Sequence, residues 1–396
     1  MAHALATTGI VLSGGGARAA YQVGALRAIA RILDVATPTP FAVICGTSAG
    51  AINAAALVGR AESFRNAVAR LVRLWRNIDV GQVYKADLAT VSAHGVRWLA
   101  SVLTGKPGPP NAASMFDNRP LRRLLRRELS AERVAAHVAD GRLRALAINA
   151  TSYSTGHAVT FYQGAASLKP WHRLRRRGEA TTIGVDHLLA STAIPFIFPA
   201  TRVGREYFAD GSVRQIAPLS PALHLGARRL LIIAVGQFTG QAMTTGATIR
   251  YPSFAQVAGH ALSSIFLDNL GADLERMARV NQLVDLIPPE SLVEHGIDVG
   301  HVDALVLGPS RDLAALAVAY SRHLPAGVRY LLGGLGGTAA TGANLLSYLL
   351  FDSHYCRALM ALGYSDAMAR REEISAFLES GAARFVPVLP ADRQPI

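Results

Sequence analysis

Ser48 lies between Gly46 and Gly50 in the stretch ICGTSAG, residues 44–50, directly after an apolar run. In a Gly-x-Ser-x-Gly turn between a strand and a helix, the serine hydroxyl can project above the sheet as a nucleophile, because small flanking residues permit the sharp turn. The same letters also suit a plain turn of small residues, so the motif alone is weak evidence. The surrounding elements must decide between the two interpretations.

A second glycine-rich turn contains Gly14, Gly15 and Gly16, followed by Ala17 and Arg18. Its N–H groups stand uncovered by side chains before a predicted helix, which is a favourable place for an anion. The letters GGGARA also satisfy Gly-x-Gly-x-x-Ala, the alanine form of the dinucleotide fingerprint. That interpretation requires an acidic residue at the end of the second strand, where residues 45–48 read CGTS, and we therefore do not favour a nucleotide site.

A serine nucleophile also needs a base. The chain has 12 histidines, which leaves a Ser-Asp-His triad open in principle, but spacing singles out none of them, and His187, His224 and His260 fall in predicted helices. Asp210 is better placed, because TRVGREYFADGS, residues 201–212, predicts a tight hairpin whose second strand ends at this carboxylate. An Asp-Gly pair taken alone is commonly just a turn.

Strands that alternate with helices position these residues. The sequence predicts strands over 9–13 and 41–45, with helices after the glycine-rich turn to residue 33 and over 48–59. The order β-α-β-α predicts a parallel sheet with both glycine-bearing turns at the same edge, so that a nucleophile and oxyanion donors converge there. Further strands are predicted at 144–153, 158–162, 228–236, 283–288 and 303–309, and further helices at 185–195, 253–280 and 343–351.

With these residues assembled, the sequence resembles the patatin-like phospholipases. That family is similar in having a Gly-Gly-Gly-x-Arg/Lys-Gly loop, a Gly-x-Ser-x-Gly elbow and an Asp-Gly-Gly or Asp-Gly-Ala motif. Here the three appear in order as GGGARA (14–19), GTSAG (46–50) and DGS (210–212), and ASTAIPFIFPA (190–200) resembles the segment ahead of the Asp. Two departures are Ala19 in place of the last glycine and Ser212, whose hydroxyl could bond Asp210 and alter its basicity.

The resemblance implies a two-step acyl transfer on a Ser-Asp dyad. Ser48 would attack the ester carbonyl with Asp210 as general base, while the loop formed by Gly14, Gly15, Gly16, Ala17 and Arg18 would hold the oxyanion. Arg18 would brace this loop or meet a lipid phosphate. No metal or cofactor is expected, because the nucleophile is a side chain rather than a bound water.

Four apolar residues between the elbow and Asp210 are candidates for an acyl pocket, although ordinary core packing explains them equally well. They are Ile194, Phe196, Ile197 and Phe198.

The implied fold class is α/β, a three-layer α/β/α patatin-like sheet that is mostly parallel, with a mainly helical C-terminal extension. We expect a catalytic domain over 8–236 and a helical region over 237–396 packed on it, which either completes the sheet or covers the acyl channel. With 51% hydrophobic and 17% charged residues among 396, the chain has the composition of a core-rich globular protein.

Charge and targeting features suggest a location. The net charge is +13, with arginine clusters at 122–129 and 171–178, which suit a solvated basic face or peripheral contact with an anionic membrane. No nucleic-acid-binding motif accompanies them, so we expect no nucleic-acid partner. Two cysteines, no apparent secretory signal and a glycine-interrupted apolar stretch at 330–351 favour a cytoplasmic protein without a spanning helix, and oligomeric state is left undetermined.

Three functions follow from this reading. The first is a lipid acyl hydrolase of the phospholipase A or lysophospholipase type. The second is a carboxylesterase or thioesterase for soluble acyl substrates. The third, a non-catalytic lipid-binding protein, is disfavoured by the intact Ser48, glycine-rich loop and Asp210.

Overall fold

A computed structural model describes residues 7–33, 38–85, 114–236, 254–297, 299–329 and 342–379. Within these ranges ten strands form one sheet. They are β1 (Thr8–Leu12), β2 (Val43–Thr47), β3 (Ala145–Ser152), β4 (Ala158–Gly164), β5 (Trp171–Arg173), β6 (Arg176–Ala180), β7 (Thr201–Val203), β8 (Glu206–Asp210), β9 (Arg229–Ile233) and β10 (Asp303–Leu307).

The strand order is β10-β9-β1-β2-β3-β4-β6-β5, with β8 pairing with both β3 and β7. The first five strands of this order run parallel to one another, whereas β4 and β8 each run antiparallel to β3. The β2 strand therefore lies centrally, between β1 and β3. The carboxyl ends of β1 and β2 meet at one edge, as the β-α-β-α order predicts.

Helices cover the sheet and follow the chain in the order that their labels give. They are α1 (Ala20–Ile32), α2 (Ala49–Val58), α3 (Phe64–Arg76), α4 (Val80–Val83), α5 (Arg119–Glu128), α6 (Ala131–Ala139), α7 (Val185–Ser191), α8 (Ser220–His224), α9 (Phe254–Val284), α10 (Pro289–Glu294), α11 (Leu313–Val318), α12 (Ala343–Leu349), α13 (Ser353–Ala369) and α14 (Arg371–Glu379). Short 3-10 turns occupy Gly16–Ala19, Gly211–Arg214 and Ser321–His323.

Alternating residues of the central strands enter two separate cores. In β1, Ile10 and Leu12 face a large core shared with α1, α2, α12 and α13, while Val11 faces a smaller core shared with α8 and α9. Both faces of a parallel sheet are covered in this way, and the strands read as near-continuous apolar runs. The predicted three-layer α/β/α class is thus confirmed.

The C-terminal helices pack directly on the first βα unit. A Cβ added to Gly24 of α1 would lie 2.1 Å from the Met360 carbonyl oxygen of α13, and one added to Gly363 would lie 2.1 Å from that of Tyr21. The Tyr21 hydroxyl also donates to Asp366 at 3.0 Å. Because β10 joins the sheet beside β9, the chain after residue 236 completes the sheet as well as covering it.

Most predicted elements are confirmed, including the hairpin before Asp210, the antiparallel pair β3–β4 and the long helix α9. The predicted strand at 283–288 is wrong. The α9 helix continues to residue 284, and the side chains of Leu283 and Leu286 are 62% and 81% exposed, so that this apolar run has no sheet to join. The helix from residue 185 ends at Ser191, ahead of Pro195.

No helix in the described ranges combines the length and the apolarity that a membrane span requires. The predicted helix at 343–351 is confirmed as α12, which is buried rather than lipid-facing. The predicted domain boundary after residue 236 adjoins a segment outside the described ranges.

Candidate active site

Ser48 occupies a sharp turn between β2 and α2. Its backbone has φ 55° and ψ −128°, a region that non-glycine residues rarely adopt and that costs about 1–3 kcal/mol. Two hydrogen bonds fix the turn: the Ser48 N–H donates to the Ser191 hydroxyl at 2.9 Å, and the Ser48 carbonyl accepts from Ala51 N at 2.9 Å. The strain is thus held by its surroundings, as at a nucleophile elbow.

The glycines on either side of Ser48 are sterically required. A Cβ at Gly46 would lie 2.5 Å from the Gly50 carbonyl oxygen, and a Cβ at Gly50 would lie 2.3 Å from that of Leu12. The strand, the elbow and the helix therefore approach one another more closely than any side chain allows.

Asp210 is brought to Ser48 by the antiparallel strand β8. Its N–H donates to the Ala193 carbonyl at 2.8 Å, and its own carbonyl accepts from the Thr151 hydroxyl at 2.9 Å. The carboxylate Oδ1 accepts from Ser212 N at 2.9 Å, which turns the side chain back toward the sheet. Asp210 is 1% exposed and Ser48 is 2% exposed, so both groups lie away from bulk water.

Burial of the Asp210 carboxyl raises its pKa to about 6. The Ser48 hydroxyl, Ser212 N–H and Ser212 hydroxyl each lower this pKa by donating toward the carboxylate, but burial is the larger effect. That the Ser212 hydroxyl alters the basicity of Asp210 stays a prediction.

The Ser48 hydroxyl lies near the Asp210 carboxyl. Oδ2 of Asp210 is buried without a well-aligned hydrogen-bond partner among the described residues, although the Ser48 hydroxyl is close enough to lower the carboxyl pKa. Catalytic hydrogen bonds are often long or poorly aligned before substrate binds and tighten in the complex.

The glycine-rich loop presents free backbone donors beside the elbow. No described residue accepts a hydrogen bond from the N–H of Gly14, Gly15, Gly16 or Ala17. Gly16 has φ 54° and lines the same cavity as Ser48. A Cβ at Gly16 would lie 2.2 Å from the Tyr348 carbonyl oxygen, so only glycine fits between the elbow and α12.

Arg18 differs from its expected place in the oxyanion loop. Its backbone N–H donates to the Gly15 carbonyl at 3.1 Å and is not free for an oxyanion. Its 4% exposed side chain donates to Ser347 at 2.8 Å and to Asn344 at 2.9 Å, and it lies 4.2 Å from the centre of the Tyr348 ring. Of the two expected roles, bracing the loop fits this geometry. Contact with a lipid phosphate does not, because each of the three guanidinium nitrogens of the buried Arg18 already donates to a side chain inside the protein.

A narrow apolar cavity of about 30 Å³ opens above Ser48. Its walls come from both the N-terminal and the C-terminal parts of the chain and include Trp75, Val83, Leu121, Ile194, Phe198, Tyr348 and Phe351. Two of the four predicted acyl-pocket residues, Ile194 and Phe198, thus line it. Phe196 does not, since its side chain is 73% exposed, and Ile197 is buried in the core.

The family model of the patatin-like phospholipases matches residues 10–223, which is more than half of the chain. The chain belongs to the patatin-like phospholipase family. The structure is similar to the crystal structure of VipD from Legionella pneumophila, at 12% identity and a TM-score of 0.32, over 93% of this chain and 67% of that one. No curated protein sequence matches the chain.

Membership of a family of lipid acyl hydrolases gives the site its chemical context. No histidine is among the described residues that line the cavity or that set the pKa of Asp210. His187 instead accepts from Gly184 N at 3.0 Å, and His224 stacks on Trp171 with ring centres 4.8 Å apart. In the described part of this patatin-like chain, the titratable group whose pKa the Ser48 hydroxyl lowers is therefore the Asp210 carboxyl and not a histidine.

One cluster of metal-ligating side chains lies in the described ranges of the patatin-like chain, formed by His323, Asp352 and His354. Oδ1 of Asp352 accepts from His354 N at 3.0 Å and from Tyr355 N at 3.1 Å, which caps α13, and it also contacts His323 Nδ1 at 3.0 Å. Helix capping accounts for this oxygen without a metal.

Sequence patterns did not assign several residues that shape the site of this family member. Ser191 accepts a hydrogen bond from the elbow, yet the resemblance of segment 190–200 to the family assigned it no role. Tyr348 and Phe351 close the cavity from α12 and the residues just after it, 300 and 303 positions from Ser48. Only the buried character of helix 343–351 pointed toward them.

Proposed function

We propose that the chain hydrolyses carboxylic esters of lipids, as a phospholipase A or lysophospholipase, through an acyl-serine formed on Ser48. The observation that supports this most is the carboxylate oxygen of Asp210, buried without an aligned partner beside a serine on a strained turn. A buried carboxylate with a raised pKa is a competent general base near neutral pH. A purely structural aspartate would find a cation or further donors.

The mechanism begins with attack of Ser48 Oγ on the ester carbonyl carbon while its proton passes to Oδ2 of Asp210. The free N–H groups of Gly15, Gly16 and Ala17 bind the oxyanion of the tetrahedral intermediate, and removal of one such donor typically costs about 10²–10³-fold in rate. Asp210 then gives the proton to the departing alcohol oxygen, and the carbon–oxygen bond of the ester breaks.

The second step returns the serine. Asp210 removes a proton from water as the water oxygen attacks the acyl carbon, and the proton then passes to Ser48 Oγ as the fatty acid leaves. Both steps use the same carboxylate and the same N–H donors. Apart from the ester, the reactant that the two steps consume is one water molecule.

A carboxylesterase for short or soluble acyl substrates is the second candidate, and the cavity size favours it. A volume of about 30 Å³ holds roughly two water molecules, whereas ligand pockets commonly span about 300–1,000 Å³. A long acyl chain enters only when the side chains around Tyr348 and Phe351 move apart. Short acyl groups demand less movement.

The test is fatty-acid release from phospholipid, lysophospholipid and nitrophenyl esters of increasing chain length. We expect hydrolysis by the wild type and a loss of at least 10³-fold in folded Ser48→Ala and Asp210→Asn variants. A preference for nitrophenyl acetate with no release from any phospholipid would favour the soluble-ester candidate. Unchanged rates in both variants would place the nucleophile elsewhere, and an inert wild type would favour a lipid-binding protein.

A further inference from the structure

Phe196 combines two features that rarely occur together in a folded protein. Its side chain is 73% exposed, and its backbone has φ 65°, which is a genuine outlier for a bulky residue. Its neighbours Ile194 and Phe198 point the other way and line the cavity above Ser48. The exposed ring therefore stands on the outer side of the segment that walls the candidate active site.

The surrounding backbone holds Phe196 in this conformation. Met115 N donates to the Phe196 carbonyl at 2.8 Å, and Phe116 N donates to the Ile197 carbonyl at 3.0 Å. Strained backbone persists only where the surrounding structure over-determines it, and such positions cluster at functional sites. The ring is thus presented outward by a fixed backbone rather than by a loose loop.

A basic helix begins three residues after Phe116. The inner side of α5 contributes Leu121 and Leu124 to the same cavity. Its outer side exposes four arginines, Arg119, Arg123, Arg126 and Arg127.

Most of this positive charge is uncompensated. Arg119 pairs with Asp117, but in the described part of the chain the other three, Arg123, Arg126 and Arg127, form no ion pair. The hydrogen bonds of Met115 and Phe116 to the 196–197 backbone place the start of α5 next to Phe196. We call the exposed residues of these two neighbouring segments the basic aromatic face, namely Phe196, Arg119, Arg123, Arg126 and Arg127.

We propose that the basic aromatic face docks the protein onto an anionic lipid bilayer, with the Phe196 ring inserted at the headgroup boundary and the arginines on the lipid phosphates. An aromatic ring beside cationic side chains matches the composition of that boundary. Docking this way places the walls of the cavity against the lipid that the protein cleaves. The inference rests on the proposed lipid hydrolysis and adds the surface through which the substrate is reached.

The experiment measures co-sedimentation of the full chain with phosphatidylcholine vesicles, with and without phosphatidylglycerol. We expect Phe196→Asn to weaken binding roughly 10- to 100-fold, which corresponds to losing the burial of one phenyl ring. Asparagine tolerates a positive φ, so this variant keeps the backbone and removes only the ring. Phe196→Trp should restore binding, and Arg123→Gln with Arg126→Gln should reduce its dependence on phosphatidylglycerol and salt.

Two exposed leucines supply matched controls. Leu174, 88% exposed, lies between Arg173 and Arg175 in the second arginine cluster, and Leu286, 81% exposed, follows the far end of α9. Leu174→Ser and Leu286→Ser should bind vesicles as the wild type does. Wild-type binding by Phe196→Asn, or loss of binding in Leu174→Ser instead, would overturn the proposal.

Hydrolysis of a soluble nitrophenyl ester separates this proposal from the proposed function. Phe196→Asn should retain that rate while losing vesicle binding and phospholipid hydrolysis together. An inert wild type that still sediments through Phe196 would refute the hydrolase and leave the docking surface. Capture by single-stranded DNA with no sedimentation on vesicles would overturn the membrane assignment.

Discussion

At the scale of single residues, the site depends on the state of one carboxyl group. The donors that lower the pKa of Asp210 are all neutral, namely the Ser48 hydroxyl and the N–H and hydroxyl of Ser212, so that no cation among the described residues offsets its burial. The result is a pKa raised to about 6 from an ordinary value near 3.8. Such a carboxylate is ionised at neutral pH and is still basic enough to accept a proton.

This pKa predicts the pH dependence of ester hydrolysis. Because only the ionised Asp210 can accept the Ser48 proton, kcat/KM should fall about tenfold per pH unit below an apparent pKa near 6. Ser212→Ala removes a donor that favours the ionised form, so the descending limb should move to higher pH. The measurement is kcat/KM of a nitrophenyl ester across pH 4 to 9; a limb unmoved by Ser212→Ala would count against Asp210 as the base.

The same shift predicts a cost in stability at neutral pH. Because the pKa of Asp210 is higher in the folded than in the unfolded chain, the folded chain binds more protons between about pH 4 and pH 6, and stability falls as pH rises through that window. Two pKa units correspond to about 3 kcal/mol. Asp210→Asn lacks this titration. Its free energy of unfolding, relative to that of the wild type, should therefore rise by about 3 kcal/mol between pH 4 and pH 7.

Urea unfolding of both proteins at the two pH values measures the difference, because the other titrating groups cancel. A stability gap that stays constant with pH would show that Asp210 ionises normally.

At the scale of elements, the central prediction from sequence concerned adjacency. Two strands joined by one helix place Ser48 and the glycine-rich loop side by side, since parallel neighbours end at the same sheet edge, and β1 and β2 do pair in parallel register. The hairpin that carries Asp210 could be predicted as well, because Gly204 and alternating residues mark it locally. Residues 283–288 form the end of a helix and a turn instead of the predicted strand. This outcome could not be predicted, because the apolar residues of the segment form no buried face.

Contacts between distant elements lay beyond sequence analysis. Arg18 donates hydrogen bonds to Asn344 and Ser347, which lie 326 and 329 positions later in the chain. No local sequence pattern predicts such a pairing. Tyr348 and Phe351 likewise reach the cavity wall from a part of the chain far from Ser48. The sequence does show that α12 is apolar, but an apolar helix can pack against many different elements.

The tight elbow makes a sharp prediction about glycine. Gly46→Ala places a Cβ 2.5 Å from the Gly50 carbonyl oxygen and 2.6 Å from the Ala51 Cα, so backbone must move. We expect a loss of about 1–3 kcal/mol in the free energy of unfolding and of more than a hundredfold in ester hydrolysis. Gly271→Ala in α9 is the matched control, because its Cβ meets nothing within 4 Å and should stabilise the helix by roughly 0.5–1 kcal/mol.

Equal effects of the two substitutions on activity would show that the elbow is not under steric constraint. Denaturant titration and the nitrophenyl ester assay on both variants decide the point.

At the scale of the whole molecule, the motifs and the C-terminal region share one core. Leu345 and Leu346 of α12 and Leu359 of α13 lie in the same buried cluster as Ile10 and Ile44 of the central strands. Strand β10 further extends the sheet beyond β9. The sequence motifs between residues 8 and 236 are therefore covered by elements that come much later in the chain.

This arrangement predicts that residues 8–236 do not fold alone. Without the later elements, the outer side of α1 and the edge of β9 would be exposed apolar surface, and the Arg18 guanidinium would lose its acceptors. We expect the isolated fragment to aggregate or to lack a cooperative unfolding transition, measured by circular dichroism in urea. A fragment that unfolds cooperatively and hydrolyses esters would instead support a division into two independent domains.

The central claim is that Ser48 is the nucleophile and Asp210 its base, and covalent labelling tests it most directly. A fluorophosphonate reacts with an activated serine by losing fluoride and leaving a phosphonyl adduct, which mass spectrometry locates by peptide. The account predicts one adduct on the peptide that contains Ser48, none in Ser48→Ala and much slower labelling in folded Asp210→Asn. An adduct on a different serine, or labelling of Ser48 at the same rate without the Asp210 carboxylate, would contradict it.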